Sequence, residues 1–300
     1  MDRNEVIMKR IFHYTIPKDF EGLSLLTFLK AKQYSSQIIT HLKHTENGML
    51  LNGTWARVRD ILHVHDSLII TLIESESSNN IVPVELPLDI VYEDEDLLVI
   101  NKSSDTPIHP SQGNYENTLA NAVAYYYAQK DESFTYRCIN RLDRDTTGLL
   151  IIAKHMYSAS LLSNMVQNRE IRREYLAIAT GLVPEDGIIE APIGRVDGST
   201  IERQVDIENG DYACTHFKRL AYKNGFSLVS LKLTTGRTHQ IRVHMKYIGH
   251  PLPGDFLYNP DYSVIKRQAL HSYRLEFIHP ITGQDMEFVA ELPEDMASII

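Results

Sequence analysis

The stretch that most limits how this chain can fold is Leu149-Leu150-Ile151-Ile152-Ala153, an unbroken apolar run. A half-exposed strand alternates apolar and polar residues. A continuous run is buried on both faces, so packed layers must lie on either side of it. Directly before it comes the polar loop Asn140-Arg141-Leu142-Asp143-Arg144-Asp145-Thr146-Thr147-Gly148. Before that, Phe134-Thr135-Tyr136-Arg137-Cys138-Ile139 alternates like a second strand. Two strands are therefore expected to hold a loop that carries Arg141, Asp143, Arg144 and Asp145. A solvated surface turn has a similar composition. Here, however, the arginines and aspartates alternate closely enough to pair, and Thr-Thr-Gly returns the chain directly to the core. Loops held by rigid strands are where catalytic groups concentrate.

The rest of the chain narrows the class. At 300 residues it suits one large domain or two, with ample length for a core. No apolar run reaches the roughly 18 residues of a membrane span, and Met1-Asp2-Arg3-Asn4-Glu5 lacks the basic start of a signal peptide. Cys138 and Cys214 are far apart and without metal-like spacing, so both read as reduced core residues of a cytoplasmic protein. A net charge of −9 by itself argues against nucleic-acid binding. Binding depends, however, on where positive charge clusters. Acidic residues bunch at 93–96 and near the C-terminus, and basic ones at 169–173 and 237–246, which allows one basic face on an acidic protein.

Taken in order, residues 11–80 read as a small separate module. Helices are expected over 23–29 and over 35–42, the second with a serine N-cap. Strand-like pieces follow at 48–54, with an Asn-Gly turn, and at 66–72. The polar stretch 74–82 reads as a structure-poor linker, which divides the chain into 1–80 and 81–300. Beyond it, 88–92 and 97–100 form two strands around an acidic turn. Helices are expected over 118–127 and 155–165. Tyr125, Tyr126 and Tyr127 cannot share one helix face, which favours ordinary packing over base stacking. A basic approach at 169–173 enters an apolar strand that starts at Tyr175. Near 234–236 another strand ends at Thr-Gly, where Thr238 can cap a helix carrying His239, Arg242 and Lys246 on one basic face. His239 and His244 stand five positions apart, roughly 140° around a helix, and the usual zinc-binding helix needs i, i+4 spacing. No metal site is expected.

Several of these blocks, in this order, resemble the RluA-type pseudouridine synthases. Arg-Leu-Asp-Arg-Asp-Thr-Thr-Gly at 141–148 is similar to that family's His-Arg-Leu-Asp…Thr-Ser-Gly, with Asn140 for the His and Thr147 for the Ser. Asn101, Lys102, His109 and Pro110 match a second block, in which Ser103 and Asp105 replace a proline and a glycine. Tyr175-Leu176-Ala177, the run Thr235-Gly236-Arg237-Thr238-His239-Gln240-Ile241-Arg242-Val243-His244, Gly249-His250-Pro251, Gly254-Asp255 and the closing segments near Leu270 and His279 continue the series. The resemblance implies an α+β catalytic domain with a central, mixed, mostly antiparallel sheet. The N-terminal helices and "Leu-Leu-Asn-Gly" resemble an S4-type RNA-binding domain, which tilts the expected substrate toward ribosomal rather than transfer RNA.

The family's reaction detaches uracil from C1′ of its ribose, turns it and rejoins it through C5, with no cofactor. The resemblance puts the catalytic carboxylate on Asp143, with attack on the sugar and removal of a ribose proton both open as its role. It puts the active-site tyrosine on Tyr175, the partner arginine on Arg242 and the apolar wall of the uracil pocket on Leu270. Arg141 is expected to hold the extruded RNA, since the target must leave the stack. Arg172, Arg237 and Lys246 are expected to meet phosphates, and His239 to bind substrate. The expected partner is RNA. No membrane and no obligate protein partner are indicated, and a monomer is expected. A noncatalytic RNA-binding or ribosome-assembly protein of the same fold is the alternative, but it predicts a lost nucleophile. A glycosidase or metal-dependent nuclease predicts a second carboxylate or clustered ligands, and Asp145 is the only nearby candidate.

Overall fold

The computed structural model describes residues 8–78 and 80–300; the stretch Met1 to Glu5 lies outside them. The first part of the chain runs β1 (Met8–Thr15), α1 (Leu25–Ala31), α2 (Ser36–His44), β2 (Met49–Leu51), β3 (Thr54–Trp55) and β4 (Ser67–Glu74). These strands form a four-stranded sheet in the order β1-β4-β2-β3. Ser24 and Ser35 cap the two helices, each hydroxyl accepting the N–H three residues on at 3.3 Å. Such caps contribute ~1 kcal/mol each. Strand β1, which lacks clear alternation in sequence, pairs with β4 along its whole length.

The remainder runs β5 (Ile90–Glu93), β6 (Leu97–Lys102), α3 (Leu119–Ala128), β7 (Thr147–Ala153), α4 (Met156–Gln167), β8 (Arg172–Thr180) and β9 (Asp186–Glu190). It continues through β10 (Ile193–Arg195), β11 (Arg203–Val205), β12 (Cys214–Lys223), β13 (Phe226–Leu233), α5 (Gln240–Tyr247), β14 (Leu270–Ile278), β15 (Asp285–Val289) and α6 (Glu294–Ala297). Nine strands form one sheet in the order β5-β6-β7-β14-β8-β13-β12-β9, with β15 also on β14. The β7–β14 pair is parallel, and the other pairings of this sheet are antiparallel. This is the mixed α+β architecture expected.

β7 does what its composition demands. Leu150 and Ile152 enter the core on one face, with Val123 of α3, Tyr175 and Leu270. Leu149, Ile151 and Ala153 enter the core on the other, with Leu162 and Met165 of α4. Gly148 opens the strand with φ 105°, and a Cβ there would lie 2.2 Å from the Ser272 carbonyl oxygen, so only glycine lets β14 approach this closely.

Four sequence expectations are corrected. Residues 134–139 are extended but form no ladder strand. They meet β7 through a Cys138–Ile152 bridge and the bonds Ile139 N–H to Ile151 C=O and Ala153 N–H to Arg137 C=O. Their other edge is occupied by 76–78: Ser77 and Ser78 hydroxyls accept from the N–H groups of Phe134 and Tyr136. The polar stretch after β4 is therefore irregular but pinned, because it supplies partners that a strand would otherwise provide. Third, α5 starts at Gln240 behind His239, and Thr238 is not its cap. The basic face also fails. His239 lies outside the helix, Arg242 is buried in ion pairs, and Lys246 alone is exposed.

The first sheet packs onto α4 rather than hanging free. Tyr157 and Leu161 of α4 belong to its hydrophobic cluster. Tyr34 stacks on Tyr157 at 4.0 Å between ring centroids, and the Tyr157 hydroxyl donates to the Lys32 carbonyl. Arg10 of β1 donates twice to Asp96 in the turn before β6.

Candidate active site

The loop 140–146 is anchored from below before it presents anything above. Asn140 is buried, and its side-chain oxygen accepts the Ile151 N–H at 2.8 Å, tying the loop to β7. Thr147 shares a hydrogen bond with His271 of β14 at 2.8 Å. Lys102 reaches under the loop and donates to the carbonyls of Arg144 and Ser103 at 2.7 and 2.6 Å. Burial pulls its ammonium down to about 7, against the attraction of Asp145 and Asp143. Asp105, in the glycine position of the preceding turn, adopts φ 53°, a left-handed conformation that aspartate tolerates better than most residues. Asp145 pairs with Arg144 at 2.9 Å and does not face the cleft.

Asp143 rises from this loop into a cleft of about 840 Å³. Its Oδ2 accepts from Arg242 Nη1 at 2.7 Å. Arg242 is 1% exposed, and burying a guanidinium demands full pairing. Asp255 supplies it, accepting from Nε and Nη2 at 2.7 and 2.8 Å in a two-pronged contact. Burial would lower the Arg242 pKa, but Asp255 and Asp143 outweigh it and hold it above the ordinary arginine value. Asp255 is fixed in turn by the N–H groups of Leu257 and Tyr258. It follows Gly254, where a Cβ would lie 2.1 Å from the Arg267 carbonyl oxygen. The rings of Tyr258 and Phe256 cover the guanidinium at 5.0 and 5.6 Å. The order of dependence is thus Asp255, Arg242, Asp143. A buried ion pair aims one remaining N–H at a carboxylate that is still 28% exposed.

The cleft brings together most of the residues expected from the sequence. Arg141, Asp143, Arg172, Tyr175, Arg237, His239, Arg242 and Leu270 all line it, and Lys246 does not. Lys246 is exposed on α5, with its ammonium 5.4 Å from the Tyr258 ring. Tyr175 and Leu270 are buried in adjacent strands, β8 and β14, and form an apolar wall. Arg141 and Arg172 are exposed, and neither forms an ion pair among the described residues. Glu174 binds the Ser230 hydroxyl and Lys232 instead of the neighbouring arginines. Arg237 is partly committed, donating to the Tyr212 carbonyl at 3.0 Å and lying 3.5 Å from Asp211.

Sequence reasoning assigned no role to Asp255, Tyr258 or Lys102. The signal for Asp255 was present. An arginine on the inward side of an apolar helix needs a buried counter-charge, and Gly254-Asp255 supplies one a short loop later. Tyr258 carries no such signal, because its contact depends on where that loop folds back.

Asp94, Asp96 and His279 offer ligand atoms within 4.8 Å of one another. Their positions are already taken. Asp96 accepts from Arg10 and His155, and Asp94 from Tyr92 and two backbone N–H groups. His279 Nδ1 accepts from the N–H groups of Ile281 and Thr282, and its Nε2 lies 2.9 Å from Asp94 Oδ2. The cluster reads as an ion-pair hub. His239 and His244 diverge, the latter bonding Thr215 and the Ala191 carbonyl.

Comparison with known proteins places this geometry. A family profile described as RNA pseudouridylate synthase matches residues 96–247. A Bacillus subtilis protein named uncharacterized RNA pseudouridine synthase YjbO is 41% identical over 267 residues, covering 89% of this chain and 94% of that one. The ribosomal large subunit pseudouridine synthase D of Pasteurella multocida is 40% identical over 243 residues, covering 76% and 75%. Among solved structures, human RNA pseudouridylate synthase domain containing 1 superposes with a TM-score of 0.58 at 28% identity, over 68% of this chain and 83% of the other. No helix among the described residues is long and apolar enough to cross a membrane.

Proposed function

The chain belongs to the RNA pseudouridylate synthase family, and from that premise we propose that it isomerises specific uridines of ribosomal RNA, with Asp143 as the catalytic carboxylate. The observation that carries this reading is the 2.7 Å contact by which the buried Arg242 holds one oxygen of a part-exposed Asp143. A guanidinium hydrogen-bonded at that distance favours the charged carboxylate. The geometry suits an anion waiting beside a sugar. The family reaction needs such an anion, a wall for the freed base and exclusion of water.

The other assignments follow from position. Tyr175 and Leu270 pack against the uracil. Arg141, exposed next to the catalytic loop, holds the displaced strand while the target is extruded. Arg172 and Arg237 take flanking phosphates on the cleft rim, and Lys246, farther out on α5, meets the RNA beyond it. Ribosomal RNA is preferred over transfer RNA because relatives named ribosomal large subunit pseudouridine synthase D align at 40% identity. Residues 1–80 act as an S4-like RNA-binding domain ahead of a catalytic domain at 81–300. Its exposed Lys30, Lys32, Lys43, Arg57 and Arg59 give it a modest positive surface.

The test is pseudouridine mapping. Total RNA from a strain lacking the protein is treated with carbodiimide and read by primer-extension stops, with complementation by wild type or Asp143→Asn. Stops lost in the deletion and restored only by wild type are expected, in ribosomal RNA. Stops unchanged by the deletion would favour a noncatalytic RNA-binding role. Restoration by Asp143→Asn would move the carboxylate role elsewhere.

A further inference from the structure

His239 is built differently from the rest of the cleft. It precedes α5 in the left-handed region at φ 55° and caps nothing with its side chain. A non-glycine residue held there is strained unless its surroundings fix it. The next residue fixes it in place. Gln240 is locked, its Oε1 accepting from the Arg237 N–H and the Thr235 hydroxyl. Its amide donates to Cys214 C=O and Thr215 Oγ1. The imidazole of His239 is thereby turned into the cleft, 12% exposed.

Its two ring nitrogens have unlike surroundings. Nδ1 lies 2.9 Å from the Tyr258 hydroxyl. That hydroxyl also lies 2.9 Å from the backbone N–H of Arg203 on β11. A backbone N–H can only donate, so the Tyr258 oxygen accepts there. The single tyrosine proton then has one acceptor among the described residues, Nδ1. An imidazole that accepts at Nδ1 and is neutral carries its proton on Nε2. Nε2 in turn lies 3.9 Å from Asp143 Oδ1, too far for a hydrogen bond. That Oδ1 is the oxygen Arg242 leaves free.

We infer that His239 is held as the neutral Nε2–H tautomer by a chain running from the Arg203 backbone through the Tyr258 hydroxyl, and that its Nε2–H donates to a sugar oxygen of the target nucleotide beside Asp143. Tyr258 is then a positioning residue and His239 a substrate-contacting donor. The charged groups around the ring support the neutral form. Burial lowers the His239 pKa first, and Arg242 and Arg203 lower it further, outweighing Asp143 and Asp255. A neutral ring does not quench the carboxylate, whereas an imidazolium would compete with the substrate for Oδ1. The donor's place beside the reacting group rests on Asp143 being the catalytic carboxylate. The tautomer does not.

The first measurement is therefore independent of activity. In protein labelled with ¹⁵N-histidine, two-bond ¹⁵N–¹H correlation spectra report which ring nitrogen is protonated. We expect His239 at neutral pH to show a deprotonated Nδ1 and a protonated Nε2, and Tyr258→Phe to give a mixture of tautomers. A protonated Nδ1 or an imidazolium in the wild type would overturn the inference without any variant having to fold.

The second measurement separates the donor from a packing role. The glutamine amide reproduces a donor at the Nε2 position, and the asparagine amide one at Nδ1. His239→Gln is expected to retain a kcat about tenfold or more above that of His239→Asn, the difference made by one transition-state hydrogen bond. Asparagine tolerates the left-handed backbone better than glutamine does, so strain alone predicts the opposite order. Equal rates for the two variants, or a higher rate for asparagine, would overturn the donor role. Full activity in Asp143→Asn would instead remove the reading of the carboxylate and leave the tautomer standing.

Discussion

Asp96 and Asp143 each face one arginine and one histidine, yet one aspartate is sealed and the other is left with work to do. Asp96 accepts from Arg10 Nε and Nη2 at 2.8 and 3.1 Å and from His155 Nε2 at 2.9 Å, with a side chain 3% exposed. His155 accepts the Ser158 N–H at Nδ1, so it too carries its proton on Nε2. Asp143 has the same partners by type. One contact, however, is 2.7 Å and the other is a gap of 3.9 Å, with the side chain 28% exposed. The residue set is the same, and what differs is one unfilled acceptor. A carboxylate whose two oxygens are both met by partners holds parts together, here the first sheet to the second through Arg10 and α4. A carboxylate with one free oxygen facing a cleft can meet a substrate.

The largest effect expected from breaking this comparison is on activity. Asp143→Asn should reduce pseudouridine formation by at least about 10²–10⁴-fold, while the thermal midpoint moves little, because the Arg242–Asp255 pair beneath is untouched. Single-turnover assays and a melting curve on the same preparation test both halves. A large fall in melting temperature would make Asp143 a structural residue like Asp96.

Asp96→Asn should show the reverse pattern. Removing one charge from a buried ion pair costs about 3–5 kcal/mol. Urea unfolding should register that loss, and turnover measured well below the melting point should stay near wild type. If turnover fell with stability unchanged, the hub before β6 would be tied to the chemistry rather than to the docking of the two sheets.

Acid should attack the sealed hub. Burial alone would raise Glu93, but hydrogen bonds from Lys154, Tyr126 and Tyr127 outweigh it and bring it down to about 2. Asp96 is also lowered, by His155 and Arg10 against its burial. Between the ordinary glutamate value of 4.5 and about 2, the unfolded chain binds protons that the folded chain does not. Stability therefore rises with pH across that window, and is lost as pH falls through it. Glu93→Gln should flatten the slope of unfolding free energy against pH there, as read from urea midpoints. An unchanged slope would assign the acid sensitivity to other carboxylates.

How much of this was legible in the sequence depends on the range of the interactions. Leu149–Ala153 announced a strand with two buried faces because composition alone reports burial. Asp143, Tyr175 and Leu270 were placed by motif resemblance, and the fold brings them to one cleft. Residues 134–139 misled because alternation reports a half-buried extended chain, whether its edges pair with a strand or with the serines at 77 and 78. The basic face of α5 misled because spacing fixes direction and not depth. Arg242 points the same way as Lys246, but meets Asp255 in the interior. The docking of the first sheet was invisible, since Arg10, Asp96 and His155 lie far apart in the chain and each alone reads as a solvated side chain or a helix start.

The smallest expected effect concerns the three consecutive tyrosines, which in sequence admit a role in stacking on RNA bases. Tyr126 and Tyr127 instead donate to the two Glu93 oxygens, and Tyr127 stacks on Phe134 at 4.0 Å. Both tyrosines therefore belong to the sealed hub's side of the comparison. Tyr126→Phe keeps the ring, and with it the Lys130 ammonium 4.1 Å from its centroid, but removes one hydrogen bond to a charged group. It should cost about 1–3 kcal/mol of stability and leave both turnover and RNA affinity unchanged. Filter binding with the substrate RNA at fixed salt tests the second half. A weaker complex with intact stability would return the tyrosines to the RNA interface and show that the acidic hub and the cleft are not separate.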